Sequence, residues 1–162
     1  MKKITLFAAL LAASMTFTAC GSGESSASGN STADNSVSEV SITEKTSELL
    51  SKVEFPEMAE VPADNLMVYY KLDTADITEF SAYVAGAGVY PDEFGIFVAK
   101  DADTAAAVKD RLEERVEKQR KTYADYSPDE MYKFDDYFVS VNGNVVSFAV
   151  CGDNSTAKDI LC

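Results

Sequence analysis

Histidine and tryptophan are absent from this chain of 162 residues, which has only three cysteines. Without histidine the chain cannot form a Ser-His-Asp triad, a Cys-His pair, a histidine metal site or a histidine pH switch. The absence of tryptophan weighs against a sugar-stacking surface. Basic residues are also scarce, because 14 of them accompany 27 acidic residues, for a net charge of −13. This charge repels nucleic acid phosphates, so we predict no nucleic acid binding, and it favours solubility.

The first twenty residues have the features of a secretory signal. Two lysines are followed by an uncharged, largely apolar run over residues 4–17, and the small residues Thr18 and Ala19 directly precede Cys20. The run is too short for a permanent transmembrane helix, which needs about 20 residues. Its end also resembles a bacterial lipobox, with Phe17 in place of the usual leucine. We therefore predict a signal peptide over residues 1–19, a lipid on Cys20 and a location on the extracytoplasmic face of the cell membrane.

Residues 20–41 differ in composition from the rest of the chain. They are mostly Gly, Ser, Ala, Asn, Thr and acidic residues, and Val37 is the first apolar residue larger than alanine. Such a composition cannot build a hydrophobic core and is typical of a flexible linker. We predict a tether over 20–41 and a single folded domain over 42–162.

Periodicity and turn signals predict α-helices and paired strands in this domain. Ser41-Ile42-Thr43-Glu44 matches a helix capping box. A longer helix is predicted over residues 104–123, capped by Asp101 or Asp103. A last helix is predicted to be capped by Asn154 or Ser155. Alternation of apolar residues predicts strands over 80–84, 94–98, 137–141 and 146–150, and Asn142-Gly143 predicts a type I′ turn between the last two. The expected fold is an α+β two-layer sandwich, in which two β-hairpins form an antiparallel sheet with the helices on one face.

Two patterns with catalytic or metal-binding potential have simpler explanations. Ser155-Thr156-Ala157-Lys158 matches the S-x-x-K pattern of penicillin-recognising enzymes, but the S-D-N and K-T-G motifs are missing, and Ser155 suits a helix cap. The acidic groups Asp101-Ala102-Asp103, Asp129-Glu130 and Asp135-Asp136 contain the oxygen ligands that Ca²⁺ prefers. None of them lies in a twelve-residue calcium-binding loop. We predict no catalytic residue, no metal site and no cofactor.

Aromatic residues offer candidate interaction surfaces. Tyr83 and Phe97 fall on the strand face opposite the predicted core residues, so they could form an exposed patch for a protein partner. The alternative is that a helix also covers that face. Tyr69-Tyr70 is predicted to belong to the core. The basic residues of the long helix alternate with acidic ones, which favours a solvated face over a basic docking face.

The last two cysteines are predicted to be free or intermolecular thiols. A helix between Cys151 and Cys162 would separate them by about 12 Å, beyond the limit of about 7 Å for a disulfide.

From about Phe55 onward the chain resembles a family of uncharacterised extracytoplasmic lipoproteins, the domain of unknown function 4358. The resemblance lies in Phe55-Pro56-Glu57-Met58, Phe94-Gly95-Ile96-Phe97-Val98-Ala99-Lys100, the 108–121 helix with Arg111, Leu112 and Arg115, Tyr126 with Pro128, and Gly143-Asn144-Val145. It implies a lipid-anchored envelope protein of a Gram-positive type of bacterium. It implies no activity and no functional residue.

The functional hypothesis is therefore a non-catalytic interaction module, held at the membrane by the lipid on Cys20, that docks on another envelope protein. The alternative is a small-ligand or cation-binding lipoprotein that uses its acidic surface.

Overall fold

The structure, a computed structural model, describes residues 41–162. The predicted signal peptide, Cys20 and the tether up to residue 40 lie outside the described residues. The α-helices and strands are α1 (Ile42–Lys52), β1 (Met58–Glu60), α2 (Leu66–Tyr70), β2 (Ile77–Ala85), β3 (Glu93–Ala99), α3 (Ala102–Tyr126), β4 (Phe138–Asn142), β5 (Val145–Val150) and α4 (Asn154–Leu161). Short 3-10 segments cover Ala63–Asn65, Thr74–Asp76 and Pro128–Phe134. Over the described residues, no helix has the length and apolarity that a membrane span requires.

The five strands form one antiparallel sheet in the order β1-β2-β3-β5-β4. The two predicted hairpins are β2–β3 and β4–β5, and they join through the pairing of β3 with β5. The edge strand β1 was not predicted, because three residues are too few for an alternating pattern to be recognised. It pairs with the end of β2, with Met58 opposite Ala85.

Helices cover both faces of the sheet because the central strand β3 is apolar on both sides. Phe97 and Ala99 belong to a buried cluster that includes residues of α2, α3 and the Pro128–Phe134 segment. Phe94 and Ile96 belong to a second buried cluster, formed with residues of α1 and α4. The predicted α+β class, with its antiparallel sheet and long helix, is confirmed. The predicted two-layer arrangement with helices on one face is wrong, since a strand buried on both sides must be covered on both sides.

Strand register also separates the two residues that were predicted to form a partner surface. Phe97 lies opposite Phe80, whereas Tyr83 lies opposite Phe94. Phe97 is completely buried, 5.2 Å from the Tyr70 ring, so it cannot contribute to a surface. Tyr83 lies on the other face, half-buried and stacked on Phe94 at 5.2 Å. The prediction of Phe97 as a surface residue is therefore wrong. Alternation within one strand separates its two faces, but it does not reveal which face the neighbouring elements bury.

The helix caps agree with the predictions at two helices and differ at the third. The Ser41 hydroxyl accepts a hydrogen bond from the Glu44 amide at 3.3 Å, and Asp101 accepts one from the Thr104 amide at 2.7 Å. At α4 the cap is Asp153, which accepts from Thr156 N at 3.0 Å, and neither Asn154 nor Ser155. Asn154 is instead directed into the protein, as described below.

The β4–β5 hairpin is present, but its loop is shifted by one residue from the prediction. Asn142 pairs with Val145, so the two loop residues are Gly143 and Asn144. Of these two, only Gly143 has a positive φ, at 61°. A glycine at the first loop position is typical of a type II′ turn, the other two-residue turn that matches the strand twist.

Candidate functional site: a buried charge cluster beneath exposed tyrosines

The connection from β2 to β3 directs two adjacent carboxylates into the protein. Asp92 and Glu93 are each only 2% exposed, and they directly precede the apolar core residue Phe94. The Asp92 carbonyl accepts a hydrogen bond from Ala85 N at 2.8 Å, which closes the connection. Buried carboxylates are strongly disfavoured unless they are paired, so the partners of this pair define the site.

Glu93 is paired by two side chains from one face of α3. Arg115 Nε donates to Oε1 at 2.5 Å, and Gln119 Nε2 donates to Oε2 at 2.6 Å. Arg115 also donates from Nη1 to the Tyr69 carbonyl at 2.8 Å. Its guanidinium lies 5.0 Å from the Tyr70 ring centroid, within cation–π distance. Burial opposes the charge on Arg115, but the adjacent Glu93 raises the pKa of the guanidinium, which therefore stays charged.

Asp92 is paired by Lys133, which also contacts Glu130. Lys133 Nζ lies 2.6 Å from Asp92 Oδ2 and 2.7 Å from Glu130 Oε2. The first contact is a hydrogen bond and the second is an ion pair. Asp92 Oδ1 is buried and has no hydrogen-bond partner among the described residues. Burial raises the pKa of Asp92 despite its contact with Lys133.

Side chains from the end of the sheet fix the position of Lys133. Asn154 Nδ2 donates to the Lys133 carbonyl at 2.8 Å, and Asn154 Oδ1 accepts from the Cys151 amide at 3.0 Å. The next residue, Phe134, is completely buried. Cys151 is buried in the same region, and burial raises the pKa of its thiol to about 11. The Pro128–Phe134 segment is therefore attached to the turn between β5 and α4.

Three exposed tyrosines connect to this cluster, two of them directly at Lys133 and one through Tyr123, and we call Tyr90, Tyr126 and Tyr132 the tyrosine surface. They are 39%, 63% and 57% exposed. Lys133 Nζ lies 5.5 Å from the Tyr90 ring centroid and 5.8 Å from that of Tyr132, so the two rings flank one ammonium. The buried Tyr123 ring lies 6.4 Å from the Tyr126 ring, and its hydroxyl donates to the Tyr90 carbonyl at 2.8 Å.

The buried charges are not evident from the sequence pattern. Arg115 belongs to the helix whose alternating charges predict a solvated face, and Asp92 follows Pro91 between two predicted strands. The signal that could have revealed them is the position of Asp92-Glu93 immediately before the apolar run of β3. A carboxylate that begins a strand buried on both faces must enter the core with its strand.

The other predicted site residues lie elsewhere. Ser155 and Lys158 are exposed on α4, and Asp101 caps α3. Within residues 41–162, no group of three His, Cys, Asp or Glu residues is arranged to hold a metal ion. In the same part of the chain Cys151 and Cys162 are free thiols, the first buried and the second exposed.

A surface depression of about 270 Å³ lies beside α2. Its lining consists of Ala63, Asp64, Met67, Leu72, Asp73 and Thr74. This volume is just below the range of about 300–1,000 Å³ that is usual for ligand pockets.

Comparison with curated proteins and with solved structures finds no significant match. Comparison with protein families gives a match to the family described as "Domain of unknown function (DUF4358)", over residues 51–151. The match includes strands β1 to β5, α2 and α3 and every charged residue of the buried cluster. Because it spans more than half of the sequence, this chain belongs to the DUF4358 family.

Proposed function

We propose that this protein is a lipid-anchored interaction module of the cell envelope, which docks a basic segment of another envelope protein on its tyrosine surface. The observation that carries the proposal is the exposure of Tyr90 and Tyr132 on either side of Lys133, with exposed Tyr126 connected to Tyr90 through Tyr123. Tyrosine is enriched at protein interfaces because its ring buries a large area while its hydroxyl forms hydrogen bonds.

The rings of the tyrosine surface are held before any partner binds. Tyr90 and Tyr132 flank the Lys133 ammonium, which is itself fixed by Asp92. Tyr126 packs edge-on against Tyr123 at an interplanar angle of 74°. Side chains that are already ordered lose less conformational entropy on binding, so a surface of this kind gains affinity from its rigidity.

The charge around the tyrosine surface favours a basic partner. Asp125 directly precedes Tyr126 and Asp129 follows it by three residues, and both are exposed, within a protein of net charge −13. Exposed Asp153 follows Gly152, at which an added Cβ would lie 3.7 Å from the Tyr132 hydroxyl. Aromatic faces beside carboxylates bind lysine and arginine through cation–π and ionic contacts. We therefore expect the partner to present such side chains, and we expect salt to weaken binding.

The envelope location rests on the sequence. The signal-like residues 1–19, the cysteine at position 20 and the Gly/Ser-rich stretch up to residue 41 support a lipid anchor with a tether. Metabolic labelling with a palmitate analogue tests this part. We expect label in the membrane fraction of the wild type and none in Cys20→Ser, whereas equal label in both would refute the anchor.

Site-specific photocrosslinking in native membranes tests the docking. A photoreactive phenylalanine analogue is placed at Tyr126 or Tyr132, and at Val68, which is 76% exposed on α2, as the control. We expect both tyrosine positions, but not the control, to crosslink one and the same envelope protein, through a Lys- or Arg-rich peptide of it.

A synthetic copy of the crosslinked peptide then tests the chemistry. Binding to the purified protein should weaken about tenfold or more in the Tyr126→Ala/Tyr132→Ala variant, since a hot-spot aromatic contributes about 2 kcal/mol or more. It should be unchanged in Val68→Ala. Equal crosslinking from Val68, or a peptide that binds the tyrosine variant as tightly as the wild type, would refute the proposal.

A further inference from the structure

We infer that Lys133 and Asp92 react with each other to form an intramolecular amide, an isopeptide bond between Lys133 Nζ and Asp92 Cγ, with Glu130 as the proton carrier. The inference rests on the position and burial of these three side chains. It does not depend on the proposed docking function, because the amide would hold the Lys133 side chain at the same place between the Tyr90 and Tyr132 rings, without its charge.

The reacting atoms are already close together. Lys133 Nζ lies 2.6 Å from Asp92 Oδ2. The carboxyl carbon is one bond of about 1.2 Å further, so it lies no more than about 3.8 Å from the nitrogen. In near-attack geometries the reacting atoms are about 3–3.5 Å apart, so Nζ and Cγ need to move little. Because the fold already holds them together, the reaction does not require an encounter between separate molecules. The hydrogen bond from Asn154 to the Lys133 carbonyl and the burial of Phe134 hold the lysine in this position.

The surroundings disfavour the ionic reactants. The side chains of Lys133 and Asp92 are 8% and 1% exposed, and Asp92 Oδ1 is buried without a hydrogen-bond partner in the described chain. A buried carboxylate oxygen in this state is more costly than a buried neutral carbonyl oxygen. Forming an amide removes both buried charges and releases water to solvent, so burial favours the product.

Glu130 can take up and return the protons that this reaction moves. Its Oε2 lies 2.7 Å from Lys133 Nζ, where it can accept a proton and convert the ammonium to an amine. Glu130 passes this proton to the Asp92 carboxylate, the amine nitrogen attacks Cγ of the resulting carboxyl, and a C–N bond forms. Glu130 then takes a second proton from that nitrogen and gives it to the departing hydroxyl, so that the C–O bond breaks and water leaves. The ammonium and the Asp92 carboxylate become one amide and one water, and Glu130 ends as the carboxylate it was at the start, so atoms and charge balance without an oxidant or a co-reactant.

The pKa shifts set the pace of this reaction. Burial raises the pKa of Asp92, which favours the protonated carboxyl that the step needs. Burial opposes the charge on Lys133, but its contacts with Asp92 and Glu130 raise the pKa of the amine. The free amine is therefore a minor species, and we expect the bond to form slowly after folding.

Mass spectrometry of the full chain, purified from membranes, tests the inference. After proteolysis we expect the peptide containing Asp92 to be joined to the one containing Lys133, with the mass of the pair reduced by one water. Lys133 should resist trypsin. Asp92→Asn should give the same joined product through loss of ammonia. Lys133→Arg, which retains the charge, should give none.

Two comparisons separate chemistry from packing. Glu130→Gln should fold, as circular dichroism will show, but form the bond on the order of a hundredfold more slowly, because it lacks the proton acceptor. Lys109 and Glu113 are also 2.6 Å apart, but they are 38% and 42% exposed, and they should remain unlinked.

The inference is overturned if the folded wild type keeps separate Asp92 and Lys133 peptides after several days at neutral pH. It is also overturned if a water loss persists in Lys133→Arg. A folded Glu130→Gln variant that links at the wild-type rate would refute the role of Glu130.

Discussion

Removing the charge of Glu93 should be among the most damaging single substitutions in this domain. The Glu93 side chain is 3% exposed and that of Arg115 is 18% exposed, with 2.5 Å between Oε1 and Nε. In Glu93→Gln the guanidinium would remain buried against an amide that cannot compensate its charge. Breaking a buried pair by removing one partner costs about 3–5 kcal/mol.

Urea denaturation measures this cost as a change in the free energy of unfolding, with the m-value expected to stay constant. A loss of this size is a large part of the 5–15 kcal/mol typical of a domain, and it should lower the Tm by roughly 10 °C or more. The matched control is Glu113→Gln on α3, the helix that carries Arg115. It breaks the exposed Lys109–Glu113 pair, which contributes at most about 1 kcal/mol.

The double variant Glu93→Gln/Arg115→Met tests whether the cost belongs to the pair. Once Glu93 has lost its charge, removing Arg115 no longer leaves a buried charge without a partner. The stability losses of Glu93→Gln and Arg115→Met, added together, should therefore exceed the loss in the double variant by a coupling energy of about 1–3 kcal/mol. Strictly additive costs, or a Glu93→Gln cost no greater than that of Glu113→Gln, would refute the argument from burial.

Three further outcomes are expected. Gly95→Ala should destabilise the domain by about 1–3 kcal/mol in urea denaturation, because the added Cβ would lie 2.7 Å from the Phe97 ring and 2.9 Å from the Phe148 ring. The control Gly88→Ala, whose Cβ would meet nothing within 4 Å, should change the free energy of unfolding little. Cys151 should react with iodoacetamide at pH 8 far more slowly than exposed Cys162 until the protein is unfolded, because burial raises the pKa of the Cys151 thiol to about 11. Peptide mapping that finds equal rates for the two cysteines in the native state would contradict this. The hydrogen bonds from Thr104 lower the pKa of Asp101. The stabilisation by the Asp101 carboxylate should therefore be complete above the unfolded-state pKa of about 3.9 and be lost as the pH falls through the lower folded value. Asp101→Asn, which can still cap α3, should lose this pH dependence in thermal melts at pH 2–6, and an unchanged profile would contradict the prediction.

Local signals predicted the elements that local physics controls. Asp101, one of the two predicted caps, caps α3, which begins at Ala102, two residues before the predicted start. The alternating runs around Gly143 gave the β4–β5 hairpin, although its loop lies one residue further along than predicted. Capping and turn formation involve atoms only a few residues apart, so the chain encodes them locally.

The candidate site could not be predicted in the same way. Its charges come from the β2–β3 connection, from α3 and from the Pro128–Phe134 segment. Glu93 and its partner Arg115 are 22 residues apart in the sequence, and Asp92 and its partner Lys133 are 41 residues apart. In the sequence, Arg115 resembles the other charged residues of its helix, and only the helix position relative to β3 buries it. Likewise, Phe97 became a core residue through strand register, which no single alternating run determines.

The sequence alone determined the composition, the predicted signal and tether, the α+β class and the long helix, because these depend on residue type and short-range spacing. Tertiary structure alone decided the second helical layer, the burial of Asp92 and Glu93 and the placement of Tyr90 and Tyr132 around Lys133. The physical reason is that a charge is tolerated in a core only where a distant segment supplies its partner, and that partner is chosen by packing.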